Sequence, residues 1–134
     1  MKRKPTPPAH CACGSGTPVA QCCARFITGA ATPPDAEALM RSRYTAFTET
    51  REDYLLASWH PDTRPASLDL AADAGQKWLG LSVISHTPID EHHAEVEFVA
   101  RYKIGGRACR LHERSRFERL DGRWYYRDGE MFDT

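Results

Sequence analysis

At 134 residues with 41% hydrophobic side chains, the chain has the length of one globular domain with a small appendage, not of two full domains. Lysine plus arginine and aspartate plus glutamate each number 18, so no global field draws it to nucleic acid or to an anionic membrane surface. Met1-Lys2-Arg3-Lys4 has the charge of a signal n-region, but Pro5, Pro7 and Pro8 follow in place of an apolar stretch. No later run is long enough to cross a bilayer, which makes a cytoplasmic address the expectation.

Four of the five cysteines lie within the first 23 residues, at Cys11, Cys13, Cys22 and Cys23. Cys-x-Cys puts two sulfurs on one bend, Gly14 and Gly16 let the backbone approach a metal, and the eight-residue spacer lets the chain return with the second pair. This is the donor set of a closed tetrahedral zinc site. A redox role fits less well, because neither pair has Cys-x-x-Cys spacing and adjacent cysteines close only a strained ring. His10 is an alternative to one sulfur, although four thiolates already complete the tetrahedron. One structural zinc per chain is expected, with no open position for water and hence no hydrolytic role.

Further along, Thr32-Pro33-Pro34-Asp35 reads as a helix start, with Thr32 as N-cap, proline in the first turn and Asp35 and Glu37 matching the helix dipole. Ala36, Leu39, Met40, Tyr44 and Phe47 recur at helical spacing through about residue 48. Thr50-Arg51-Glu52-Asp53 caps a shorter helix carrying Tyr54, Leu55 and Leu56, which His60-Pro61 ends. Residues 62–76 read as a loop with a short third helix at 68–74.

From Trp78 onward the period becomes two. Gly105-Gly106 suits a two-residue primed turn, and the register it sets puts Glu97 opposite Arg114, Glu95 opposite Arg116 and His93 opposite Glu118 on one face. The other face then pairs Ala94 with Phe117, Val96 with Ser115, Phe98 with Glu113, Ala100 with Leu111 and Tyr102 with Cys109. Arg101 opposite Arg110 is the one unfavourable pair. A second turn at Asp121-Gly122 continues the apolar face through Trp124 and Tyr126, and places Asp128 opposite Ser115 and Glu130 opposite Glu113, an acidic cluster. The order is α+β.

Cys11-x-Cys13-x8-Cys22-Cys23 with Gly14-Ser15-Gly16 resembles the SEC-C motif, the zinc hairpin at the C-terminus of the bacterial preprotein translocase ATPase. Followed by Ala38-Leu39-Met40-Arg41-Ser42-Arg43-Tyr44-Thr45-Ala46-Phe47, Trp59-His60-Pro61, Trp78-Leu79-Gly80-Leu81 and Leu111-His112-Glu113-Arg114-Ser115-Arg116-Phe117, it resembles the bacterial YchJ family over almost the whole chain. The resemblance implies a zinc-binding segment at 1–30 and a nuclear transport factor 2-like domain at 31–134, in which helices pack on a curved antiparallel sheet, a cystatin-like cone. It implies no particular reaction. Protein docking by the hairpin, as in the translocase, transfers only by analogy.

In such a cone the concave face lines a cavity, which makes Glu113, Ser115, Trp124, Tyr126 and Asp128 pocket candidates, joined by Arg41, Arg43, Trp59, His60 and Phe98. Glu113 interrupts an apolar face, where an unpaired carboxylate is costly to bury. Pairing with Arg41 or Arg43 from the first helix is the plain account, ligand recognition or general acid–base work the functional ones. Trp59, Trp78, Trp124 and Tyr126 are residues of a kind more often found in a core than in a ligand cage. No phosphate-binding loop, nucleophile elbow or zinc-protease motif is present. Arg101, Arg110, Arg114 and Arg116 are offset by Glu95 and Glu97, which leaves nucleic acid poorly supported as a partner. The leading expectation is a zinc-stabilised binding module whose cone holds a small molecule or peptide while the hairpin contacts a protein or ribonucleoprotein. The alternatives are a small enzyme using Glu113, or a structural interaction protein with a filled cone. Monomer and homodimer both remain open.

Overall fold

The chain builds its helices first and its sheet afterwards, in the order set by the change of period at Trp78. The computed structural model describes residues 11–68, 70 and 76–132. His10 and most of the short helix expected at 68–74 lie outside these residues. A 3-10 turn at Val19–Gln21 leads into α1 (Cys23–Ile27), α2 (Ala36–Thr48), α3 (Glu52–Ala57) and the strands β1 (Gln76–Pro88), β2 (His93–Ile104), β3 (Arg107–Leu120) and β4 (Arg123–Phe132).

The start of α2 differs from the expectation. Its N-cap is Asp35, extended at φ −150°, whose carboxylate accepts the Ala38 N–H at 2.8 Å. Pro34 disfavours the helical region for Pro33, which works against a helix capped by Thr32. The Thr50 assignment changes too. Thr50 lies in the left-handed region at φ 52° and closes α2 in a Schellman motif, with Arg51 N–H on Ala46 O at 2.8 Å and Thr50 N–H on Phe47 O at 3.3 Å. Arg51 precedes α3 without a side-chain cap, and Glu52 and Asp53 supply the first-turn acids.

The sheet is an antiparallel meander in the order β1-β2-β3-β4. Gly105 and Gly106 both have positive φ, 58° and 78°, as a primed turn requires, and every β2–β3 pair falls in the register that turn sets, Arg101 opposite Arg110 included. Three interruptions of register, at Leu79, Ile84 and Arg127, bend the outer strands. Leu79 and Ile84, 48% and 54% exposed, are turned out to solvent by those bulges. Bulges in both outer strands curl the sheet around α2.

The third bulge corrects the expected acidic cluster. The Asp121-Gly122 register holds from Arg123 to Tyr126, but beyond Arg127 every partner is displaced by one: Asp128 faces Arg116, Gly129 faces Ser115 and Glu130 faces Arg114. Asp128 and Glu130 therefore stand on the convex face. The cause is long-range, since the Ser58–His60 segment docks on the edge of β4. There His60 N–H bonds Tyr126 O at 2.7 Å, Tyr126 N–H bonds Ser58 O at 2.9 Å, and the Thr63 hydroxyl bonds Arg127 O at 2.6 Å. Ion pairs on the convex face follow suit. Glu97–Arg114 forms at 3.4 Å, but Arg116 binds Asp128 at 2.6 Å, Glu118 binds Arg127 at 2.9 Å and His93 binds Asp90 at 2.9 Å.

Leu39, Met40 and Tyr44 of α2 and Leu55 of α3 pack onto Leu81, Val96, Phe98, Ala100 and Phe117 of the concave face. Each large apolar side chain so buried contributes about 1.5–3 kcal/mol relative to exposure. Cys11, Cys13 and Cys23 belong to the same core. The helix is thus held between the sheet on one side and the cysteine segment on the other.

Candidate functional site

Local chemistry brings the cysteines together. Cys11 N–H bonds Thr17 O at 2.8 Å and Gly14 N–H bonds Cys11 O at 3.1 Å, closing the first bend. Gly14 sits at φ +82°, and a Cβ there would lie 3.3 Å from the Leu81 carbonyl, so the position favours glycine on two grounds. The turn at Val19–Gln21 returns the chain, delivering Cys22 and Cys23 at the start of α1. All four Sγ atoms lie within 4.8 Å of one another, with Cys13–Cys22 at 3.7 Å and Cys22–Cys23 at 3.9 Å. Thiolates on a tetrahedral ion with bonds of about 2.3 Å stand roughly 3.8 Å apart, so these residues fit one four-coordinate metal. Without a cation the four cannot all ionise: the Cys23 thiol, hydrogen-bonded to Cys13, holds Cys13 well below its usual range and is itself held up by that bond and by burial.

The protein around the sulfurs is arranged as outer support. The Thr45 hydroxyl lies 3.4 Å from Cys11 Sγ and the Ser15 hydroxyl 3.1 Å from Cys22 Sγ. Arg41, expected at the pocket, instead turns to this side. Its NH1 donates to Cys13 O at 2.7 Å while its Nε bonds Glu37 at 2.9 Å.

The opposite face of α2 meets the concave sheet across a cavity of about 270 Å³. Met40, Arg43, Tyr44 and Phe47 form its helical wall, Trp59 and Trp78 flank it, and Phe98, Ala100, Leu111, Glu113, Ser115, Phe117 and Tyr126 form its floor. Of the sequence candidates, Arg43, Trp59, Phe98, Glu113, Ser115 and Tyr126 meet here. Arg41 is turned away as described. His60 is buried behind the β4 edge, its Nδ1 accepting the Asp62 N–H at 3.0 Å and its Nε2 3.5 Å from Glu118. Trp124 lines a separate groove with Phe26 and Tyr54 at the far end of the helices. Asp128 is on the convex face because of the Arg127 bulge. Tyr44, Phe47 and Trp78 were not among the candidates. The signal for the first two was the spacing 40, 43, 44, 47, one helical stripe that also contains Arg43.

Arg43 is the unusual member. It is 6% exposed, and its NH1 donates to Leu55 O at 2.7 Å and Ser58 Oγ at 2.6 Å. Its guanidinium carbon stands 4.6 Å from the ring centre of Tyr126 and 5.0 Å from that of Trp59. Among the described residues it has no carboxylate partner, and burial lowers its pKa to about 10. Glu113 does not close that gap. Its Oε2 accepts the Ser115 hydroxyl at 2.5 Å and the Tyr126 hydroxyl at 3.3 Å. Burial first, and then the Glu113 charge, push the Tyr126 phenol above its usual range.

Residues 35–129 match the profile of the YchJ middle NTF2-like domain. A UPF0225 protein of Cupriavidus pinatubonensis is 55% identical over 130 residues, covering 92% of this chain and 90% of its own. The solution structure of a SEC-C motif containing protein from Rhodopseudomonas palustris superposes with a TM-score of 0.82 at 34% identity, over 92% of this chain and 98% of that one. The crystal structure of a SEC-C motif containing protein from Psychrobacter arcticus gives 0.75 at 28% identity, over 92% and 83%.

Proposed function

The chain belongs to the YchJ (UPF0225) family, and from that premise we propose that it is a small-molecule binding protein in which one structural zinc clasps the helical layer over a ligand cavity. The observation that carries this reading is the cavity itself: about 270 Å³, walled by aromatic side chains and holding a buried arginine that has no carboxylate partner among the described residues. Pockets that orient small ligands combine an apolar wall with a few placed polar groups. The four thiols lie on the opposite side of α2 and, once a metal saturates them, offer no place for a substrate. The zinc therefore holds the wall and does no chemistry on the ligand. A reducing, cytoplasmic setting keeps the thiols available to the metal.

Filling the cavity tests the reading. Ala100 is buried and lines it, so Ala100→Leu removes space without adding charge. Zinc-loaded protein is expected to bind ethylbenzene, detected by a change in tryptophan fluorescence from Trp59 and Trp78. The Ala100→Leu variant should lose that response while keeping its melting temperature within a few degrees. Absence of any response in the parent protein, to ethylbenzene and to polar probes of the same size alike, overturns the proposal.

A further inference from the structure

We infer that the cavity takes a small uncharged amide on an apolar, aromatic-sized body, the amide oxygen on Arg43 and the amide N–H on Glu113. This rests on the reading of the cavity as a ligand site and specifies its head group. The polar atoms left over define the complement. Arg43 spends NH1 on Leu55 and Ser58, and neither its Nε nor its NH2 has a partner among the described residues. These are donors, and they call for an oxygen. Glu113 spends Oε2 on Ser115 and Tyr126, while Oε1 accepts nothing among the described residues, and calls for a donor.

Charge decides between the head groups that offer an oxygen. Arg43 and Glu113 face one cavity without forming an ion pair, so it is close to neutral as it stands. A carboxylate would satisfy Arg43 but leave a net negative charge beside Glu113 in an apolar chamber, and an ammonium would do the reverse beside Arg43. A carboxamide supplies acceptor and donor side by side and leaves the balance unchanged, with both hydrogen bonds charge-assisted. Met40, Phe47, Trp78 and Leu111 receive the body. At about 30 Å³ per water-sized unit the space holds on the order of nine such units, enough for one aromatic ring with a short amide arm.

The test is calorimetric titration of the full-length, zinc-loaded protein with four probes of matched size: phenylacetamide, phenylacetate, phenethylamine and ethylbenzene. Phenylacetamide is expected to bind at least ~10-fold more tightly than each of the other three. Arg43→Met could unfold the α2–α3 corner, so the second arm uses Glu113→Gln, which keeps an acceptor for Ser115 and Tyr126. That variant leaves Arg43 as the only charge lining the cavity among the described residues and should shift the preference to phenylacetate. Tighter binding of phenylacetate by the parent protein, or an order unchanged in Glu113→Gln, overturns the inference. Equal affinity for all four probes refutes the head-group assignment and leaves the cavity reading standing. Failure of all four, ethylbenzene included, refutes both.

Discussion

The contact between Glu113 and Gly129 offers the sharpest check on the β4 register. Because Arg127 bulges, Gly129 lies opposite Ser115 on the concave face, directly under the Glu113 side chain. A Cβ built on Gly129 would collide with the Glu113 carboxylate and crowd its Cγ. Gly129 does not have positive φ, so alanine is compatible with the backbone. In isolation Gly129→Ala should stabilise the fold by about 0.4–1 kcal/mol through the unfolded chain. In the intact protein it must expel the Glu113 carboxylate, and the Ser115 hydroxyl, 2% exposed, loses its acceptor. An orphaned buried donor costs about 1–3 kcal/mol. The net expectation is a loss of roughly 1–2 kcal/mol, or about 4–8 °C in melting temperature for a domain of this size.

The same substitution in a Glu113→Ala background meets no carboxylate, and the Ser115 and Tyr126 bonds are already gone. There it should be neutral or stabilising by up to about 1 kcal/mol, which makes the coupling between the two positions about 2 kcal/mol. Urea unfolding followed by tryptophan fluorescence, with zinc and reductant present throughout, measures all four corners of the cycle. Additivity within about 0.5 kcal/mol would refute the contact and with it the displaced register, since in the undisplaced register residue 129 leaves the concave face.

The remaining expectations address the clasp, the helix corner and the cavity wall. Purified protein should carry about one equivalent of zinc, and Cys22→Ser should release it and lower the melting temperature of the whole domain, because Cys11, Cys13 and Cys23 share the core of α2 and the sheet; an unchanged melt after metal loss contradicts that shared core. Thr45→Val removes the hydroxyl 3.4 Å from Cys11 Sγ without changing shape, and should weaken zinc retention against a chelator about 10–100-fold. Thr50→Gly relieves a β-branched residue at φ 52° and should stabilise by about 1 kcal/mol, read in the same urea experiment. Tyr126 has its folded pKa raised above 10.0, first by burial and then by Glu113, so the phenol's contribution to stability is fully present below pH 10.0 and is lost as pH rises through the folded value. Tyrosinate absorbance should therefore show this group ionising late, and Glu113→Gln should bring its transition to lower pH.

What the sequence discloses and what it conceals divide along the range of the interaction. The four cysteines announce a metal site by spacing alone, but nothing local shows that Thr45 and Leu81 close over it, so the segment reads as an appendage while its sulfurs are core. Gly105-Gly106 sets the β2–β3 register correctly because both residues must take positive φ and nothing distant intervenes. Asp121-Gly122 sets β3–β4 correctly only as far as Tyr126, where the docking of Ser58–His60, more than sixty residues upstream, inserts the bulge. Yet one energetic clue was present. An uninterrupted register would gather Glu113, Asp128 and Glu130 on the buried face, three carboxylates with no cation assigned to all of them, and like charges in an apolar site cannot all remain ionised at tolerable cost. The break before Asp128 relieves that cost. Once the register breaks, the residue facing Ser115 is a glycine, the one residue small enough to leave Glu113 lying across the cavity floor within reach of Ser115 and Tyr126.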